Sequence, residues 1–173
     1  SSYRGRRVLL VTWASWCGCR ADLPTWGALQ EEASAHPFTV VAVALDEAEA
    51  ARPWIEAAAP SHPCLVDRDH RIAELYGLVN VPQAVWIDEA GRVARPPETA
   101  GFTDAFRRMD RATFAMPADA AEERRRAKDR YLAAVRDWAA RGAASAFALE
   151  PDEVRARLPR PDASTAQAHV WFR

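Results

Sequence analysis

The chain has 173 residues, 49% of them hydrophobic and 27% charged, with a formal net charge of −1 at pH 7. That length holds one domain with a full core plus a smaller appendage, and the charge balance gives no global attraction to nucleic acid or to an anionic membrane surface. No apolar run is long enough to span a bilayer as a helix, no signal peptide is visible, and three cysteines are too few for a stapled secreted scaffold.

Arg7-Val8-Leu9-Leu10-Val11-Thr12-Trp13 is a continuous apolar run rich in β-branched residues, the pattern of a strand buried on both faces. Cys17 and Gly18 end it. From Cys19 or Arg20 to about Ala35, Leu23, Trp26, Leu29 and Ala33 recur at helical spacing, with Pro24 expected to kink the first turns. Phe38 to Leu45 predicts a second buried strand. Asp46-Glu47 then opens a helical stretch to about Ala59, broken or restarted near Pro53, and Pro60 to Pro63 reads as a loop. Cys64 to Asp67 predicts a short third strand, and Asp69 is the expected cap of a helix from His70 to Tyr76 that Gly77 ends. Ala84 to Asp88 predicts a fourth strand, turned by Asp88-Glu89-Ala90-Gly91 into a fifth over Arg92 to Ala94. After the Arg95-Pro96-Pro97 break, Thr103 to Phe114 is the expected closing helix of this domain.

From Met116 the sequence becomes strand-poor and rich in Ala and Arg. Asp119 with Glu122 has the spacing of a capping box for a long helix, whose stripe Ala127, Tyr131, Val135 and Trp138 runs until Gly142. A shorter helix is expected from Pro151 to Leu158 and another from Ser164 to the end of the chain. Only loosely does this region resemble a tetratricopeptide-type helical hairpin, and one unit is too little for a repeat array. Arg124-Arg125-Arg126, beside Glu122-Glu123, reads as a solvated helix face. Strands alternating with helices imply an α/β fold, βαβαβ plus an antiparallel hairpin over residues 1–115, with an all-α extension over 116–173.

The chemistry concentrates in Trp13 to Pro24, which holds two of the three cysteines. A strand that delivers cysteines to a helix start puts a thiol where free N–H groups and the positive dipole end favour thiolate. Cys17 and Cys19, with only Gly18 between them, suit a redox dithiol, a soft-metal site or two structural thiols. Residues two apart on a regular helix point to nearly opposite sides. The pair can therefore bridge only if Cys17 lies in the loop before the helix, in a tight ring that favours exchange over a permanent staple. In the redox reading Cys17, at the loop edge, is the nucleophile and Cys19 the resolving thiol. Asp22, three residues further on, is the proton acceptor, or equally a first-turn aspartate favouring the helix dipole. Cys64 reads as a buried structural thiol. His36, His62, His70 and His169 read as surface residues without metal-ligand spacing to the cysteines, so neither zinc nor any other cofactor is expected.

Val8 to Pro24 resembles the active-site segment of the thioredoxin superfamily: an apolar strand, Trp-Ala-x-Trp-Cys-x-x-Cys, a basic residue and a helix proline. Gly77-Leu78-Val79-Asn80-Val81-Pro82-Gln83-Ala84-Val85-Trp86-Ile87-Asp88 resembles its cis-proline segment, with Gly91 in the following hairpin. The resemblance spans roughly residues 4 to 114 and points to a thioredoxin-like sheet. It is nearest to the redoxin-type thiol-disulfide oxidoreductases of the bacterial envelope, cytochrome-maturation enzymes among them. Asp22 with Pro24, and a strand ending in Asp46, match that group. The resemblance implies that Pro82 is cis beside Cys17, that Val81 pairs its backbone with a substrate peptide, and that Trp16, Val81 and Pro82 contact substrate. The chain departs from the pattern in having Cys-x-Cys, Val81 where many relatives carry Thr, and Val11 where thioredoxins keep a buried Asp.

The expected function is thiol-disulfide exchange with a disulfide-bearing protein or a small thiol, supported by an electron donor. The helical tail is a candidate surface for a partner, and exposed Trp171-Phe172 would favour one. Alternatives are a peroxiredoxin-like peroxidase, a Cu(I)-binding module and a non-catalytic interaction module. The peroxidase branch places Pro seven and Thr or Ser three residues before its reactive cysteine, where this chain has Leu10 and Ala14. Abundant alanine and a single lysine, Lys128, suggest a GC-rich bacterial genome. The opening Ser1-Ser2-Tyr3 has the look of a trimmed N-terminus. The compartment is therefore cytoplasmic at face value, and the bacterial envelope if a signal or anchor preceded it.

Overall fold

The structure, a computed structural model, describes residues 3–110, 113 and 115–158. Strands β1 (Arg7–Trp13), β2 (Phe38–Ala44), β3 (Cys64–Val66), β4 (Gln83–Ile87) and β5 (Val93–Thr99) form one sheet in the order β3-β2-β1-β4-β5. β1 pairs parallel with β2, from Arg7 opposite Phe38 to Trp13 opposite Ala44, and β2 pairs parallel with β3. β4 runs antiparallel to β1, and β5 antiparallel to β4. Every residue of β1 and β2 is buried, as their unbroken apolar runs require in a sheet covered on both faces. The expected α/β thioredoxin-like architecture is present.

Helices α1 (Leu23–Glu32), α2 (Ala48–Ala58), α3 (Arg71–Tyr76), α4 (Ala118–Arg141) and α5 (Pro151–Arg157) complete the fold. Several local expectations are corrected. Cys19 begins no α-helix: Gly18–Asp22 is a 3-10 helix and α1 starts at Leu23. Pro24 then falls in the first turn of α1, where its missing N–H would have had no helical partner, so nothing kinks. α2 runs through Pro53 unbroken, because Pro53 and its neighbours Arg52 and Trp54 face solvent and water can satisfy the freed carbonyl. α3 is capped by Asp67 and not Asp69: its two carboxylate oxygens accept from the Arg71 and Ile72 N–H groups at 2.9 and 2.7 Å. β5 continues through Pro96 and Pro97, which an edge strand tolerates because its outward N–H groups have no ladder partner.

The largest correction concerns the closing helix. Among the described residues of the Thr103 to Phe114 stretch the one helical element is a 3-10 turn, at Asp104–Arg108, and α4 covers the sheet instead. Leu132, Ala134, Val135, Trp138 and Ala139 of α4 belong to the same buried cluster as β1, β2 and β4. The Trp138 ring lies tilted against Trp86 with centroids 4.8 Å apart, and meets Phe38 edge-on at 6.1 Å. Arg7, buried at the start of β1, donates from Nη1 to the Trp138 and Ala139 carbonyls at 2.8 and 2.7 Å. It thereby ties the C-terminal end of α4 to the sheet, where a cation also suits the helix dipole. The capping box is not formed: Pro117 precedes the helix, Asp119 pairs with Arg108, and Glu122 pairs with Arg125 and Arg126. The expected helix from Ser164, together with His169 and Trp171-Phe172, lies outside the described residues.

Candidate active site

The parallel strand β1 stops at Trp13, and the loop after it is held by short-range bonds. Cys17 N–H donates to the Ala14 carbonyl at 3.1 Å, and Ser15 N–H to the Asp46 carboxylate at 2.7 Å. Arg20 Nη1 donates to the Ser15 and Cys17 carbonyls at 3.0 and 3.1 Å, while its guanidinium lies 4.3 Å from the Trp54 ring centroid. Asp46, at the end of β2, thus braces the loop from one side and Arg20 from the other.

Cys17 and Cys19 are joined as a disulfide, their Cα atoms 5.1 Å apart, within the span such a bond bridges. Cys17 has extended backbone angles and sits at the N-cap of the 3-10 helix, where its Sγ accepts from the Cys19 N–H at 3.2 Å. The two sulfurs differ in access. Cys17 is half-buried, and Cys19 is 2% exposed. Trp16, 62% exposed, stands beside them. Such a pair can take up two electrons and two protons to become a dithiol, with Cys17 the sulfur an incoming reagent meets first.

Residues 79–83 bring up the other wall. The Val81–Pro82 peptide is cis, and the Val81 carbonyl oxygen lies 3.9 Å from Cys17 Sγ. Gln83 Oε1 accepts from the Val79 and Asn80 N–H groups at 2.8 and 3.2 Å, and Thr12 Oγ1 accepts from Gln83 N–H at 3.1 Å, so the loop is fastened to β1. The Val81 N–H is occupied by the Asn80 side-chain oxygen at 2.8 Å. Pairing with a substrate strand through that group therefore requires Asn80 to turn away. A cleft of about 700 Å³ opens next to the site, with Trp16, Asp46, His70, Arg71, Val79 and Val81 among its lining residues.

Asp22 ends the 3-10 helix. With three residues per turn, it stacks on the same side as Cys19. It is only 14% exposed and pairs with Lys128 of α4, Nζ to Oδ2 at 2.8 Å. Burial pushes the Lys128 ammonium below its ordinary pKa, and the Asp22 carboxylate works against that shift. Reading the sequence missed Lys128, Arg20, Asn80 and Gln83. Only the uniqueness of Lys128 among 23 basic residues was a signal that could have flagged it.

The remaining candidates lie elsewhere. Cys64 is free and half-buried on the edge strand β3, not fully buried, and partial burial raises its thiol pKa. His62 is not a surface residue: it is 4% exposed, neither ring nitrogen has a partner, and burial lowers its pKa to about 4. Among the described residues no three His, Cys, Asp or Glu side chains cluster as metal ligands, and no helix is long and apolar enough to cross a membrane.

A model of the AhpC/TSA family matches residues 1–95. Over 93 residues the chain is 34% identical to the thioredoxin-like protein YneN of Bacillus subtilis, covering 51% of this chain and 54% of that protein. It is 25% identical over 93 residues to the thiol-disulfide oxidoreductase ResA of Bacillus cereus, covering 53% and 54%. The chain thus spans about half the length of the curated relatives it matches. Among solved structures it is similar to a candidate thiol:disulfide interchange protein DsbE from Chlorobium tepidum, with a TM-score of 0.53 and 27% identity over 76% of this chain and 83% of that one.

Proposed function

The chain belongs to the AhpC/TSA family, and from that premise we propose that it is a thiol-disulfide oxidoreductase working through Cys17 and Cys19. The observation that carries this reading is the asymmetric pair itself: one accessible and one buried sulfur, bridged across Gly18 beside the cis Val81–Pro82 peptide. The names of the ResA and DsbE relatives support the same chemistry. In the reducing direction the Cys17 thiolate attacks a substrate disulfide, forming a mixed disulfide and releasing one substrate thiolate. Cys19 gives up its proton toward Asp22 and attacks Cys17 Sγ, so the Cys17–Cys19 bond forms and the second substrate thiolate leaves. Two electrons pass from the dithiol to the substrate, and an external thiol donor restores them.

Trp16, Val81 and Pro82 are the proposed contacts for a disulfide-bearing protein or small thiol, and the adjoining cleft has room for the residues flanking its cysteine. The peroxidase alternative is the weaker reading, since the positions that would carry its Pro and Thr are the buried apolar residues Leu10 and Ala14. Insulin disulfide reduction by the reduced protein tests the proposal. Wild type is expected to turn over, Cys17→Ser to fall below about 1% of that rate, and Cys64→Ser to keep it. Retention of activity in Cys17→Ser would overturn the assignment.

A further inference from the structure

We infer, on the reading of Cys17–Cys19 as a working dithiol, that Lys128 of α4 is a positioning residue that holds the Asp22 carboxylate ready for the Cys19 proton. Lys128 Nζ donates to Asp22 Oδ2 at 2.8 Å and to the Ala100 carbonyl at 2.6 Å. The same ammonium lies 4.7 Å from the Trp26 ring centroid and 4.6 Å from that of Phe102. Both partners are 14% exposed, so this is no solvated surface pair, and removing either charge leaves the other stranded. The approach is built into the backbone as well. Gly101 has φ +76°, and a Cβ there would come 2.9 Å from Lys128 Cα and 3.0 Å from Tyr131 Cβ, so the chain passes α4 at a distance only glycine permits.

The pair sits one 3-10 turn from the buried sulfur. Resolution of a mixed disulfide requires Cys19 to lose its proton inside the protein, then attack Cys17 Sγ as the substrate sulfur leaves with the bonding electrons. The 2.8 Å bond from Lys128 fixes the orientation of the Asp22 carboxylate and supplies its counter-charge where both side chains are only 14% exposed. Around the pair, α4 presents Arg124 as a second cation and Tyr131 as a phenol, and α1 and residues 100–102 present the neutral Trp26 and Phe102. Lys128 is therefore the one cation bonded to Asp22 among the described residues.

The test is stopped-flow release of coloured thiolate from dithiobis-nitrobenzoate by the reduced protein, in a Cys64→Ser background across pH. The first equivalent reports attack by Cys17 and the second attack by Cys19. Lys128→Met is expected to slow the second phase about tenfold at neutral pH and to move its midpoint up by about one pH unit, while the first phase stays within about twofold. Lys128→Arg should restore most of the rate, and in an Asp22→Asn background Lys128→Met should add nothing further. Lys128→Gln serves if the Met variant does not fold. A second phase that superimposes on wild type at every pH in the Met or Gln variant overturns the inference and leaves the dithiol reading standing. Release of a single equivalent by wild type overturns the dithiol reading itself, and the inference with it.

Discussion

Residues 13–24 and helix α4 meet at Asp22, and they reach it by opposite routes. The loop holds itself together with bonds across a few residues: Cys17 to Ala14, Arg20 to Ser15 and Cys17, Cys19 to Cys17 Sγ. α4 is held by partners far away in the chain. Arg7 binds the Trp138 carbonyl across 131 positions and Lys128 binds Asp22 across 106. Chemistry coded within a dozen residues leaves a readable motif, whereas packing coded over more than a hundred leaves only an apolar stripe. The two regions should therefore fail differently, the loop losing activity before stability and α4 losing stability first.

Trp138→Ala is the severest test of that contrast. Trp138 is 1% exposed between Trp86 and Phe38, and truncating a buried Trp costs about 3–5 kcal/mol. Urea unfolding followed by Trp fluorescence should show a loss of that size in one transition. A loss below about 1 kcal/mol would mean that α4 is a separable appendage and that the contrast is false. Arg7→Met comes next. It leaves the buried Trp138 and Ala139 carbonyls without their donor, which is expected to cost about 2–3 kcal/mol and to speed hydrogen exchange in the last turn of α4 ahead of the sheet.

These sizes follow from what a sequence can and cannot carry. β1, β2 and the Cys17–Cys19 segment were legible because their signals are local: unbroken apolar runs, a turn residue, two thiols at a helix start. Val81-Pro82 was legible only through resemblance, since nothing in its own composition requires the cis bond. The role of α4 was not legible. Its stripe of Tyr131, Val135 and Trp138 fits any amphipathic helix, and no spacing says which surface the stripe meets. The expected closing helix failed for a related reason. The Asp104–Arg108 turn buries only Ala105, so once α4 covers the sheet the described part of this stretch has little burial to stabilise a longer helix. His62 was misread because a His-Pro loop usually faces water, and only the tertiary fold buries it.

Acid titration sharpens the contrast by using a group in neither region. His62 is buried uncharged, its pKa lowered to about 4 from 6.5, so the native state binds fewer protons than the unfolded chain between those values. Its contribution is fully present above about pH 6.5 and is lost as pH falls toward about 4. The full shift corresponds to at most about 3 kcal/mol. His62→Leu should flatten that limb of the urea midpoint against pH without changing the rate of thiol attack. An unchanged slope would mean that other groups carry the acid sensitivity.

The smallest expected change in stability belongs to Arg20→Ala, and it is the most informative about the loop. Its side chain is half-buried, and its two hydrogen bonds are to carbonyls that water can reach through the opening left by the truncation. The stability loss should therefore stay within about 1 kcal/mol. Yet those bonds fix the Ser15 and Cys17 carbonyls and hold a cation on the backbone of the residue that carries the first sulfur, a charge that favours thiolate. The first phase of reaction with an aromatic disulfide is expected to slow several-fold while the second is little changed, the reverse of the Lys128→Met pattern. If both phases slow together, Arg20 acts by holding the whole loop in shape, and the separation of local from long-range control at Asp22 does not extend to the individual sulfurs.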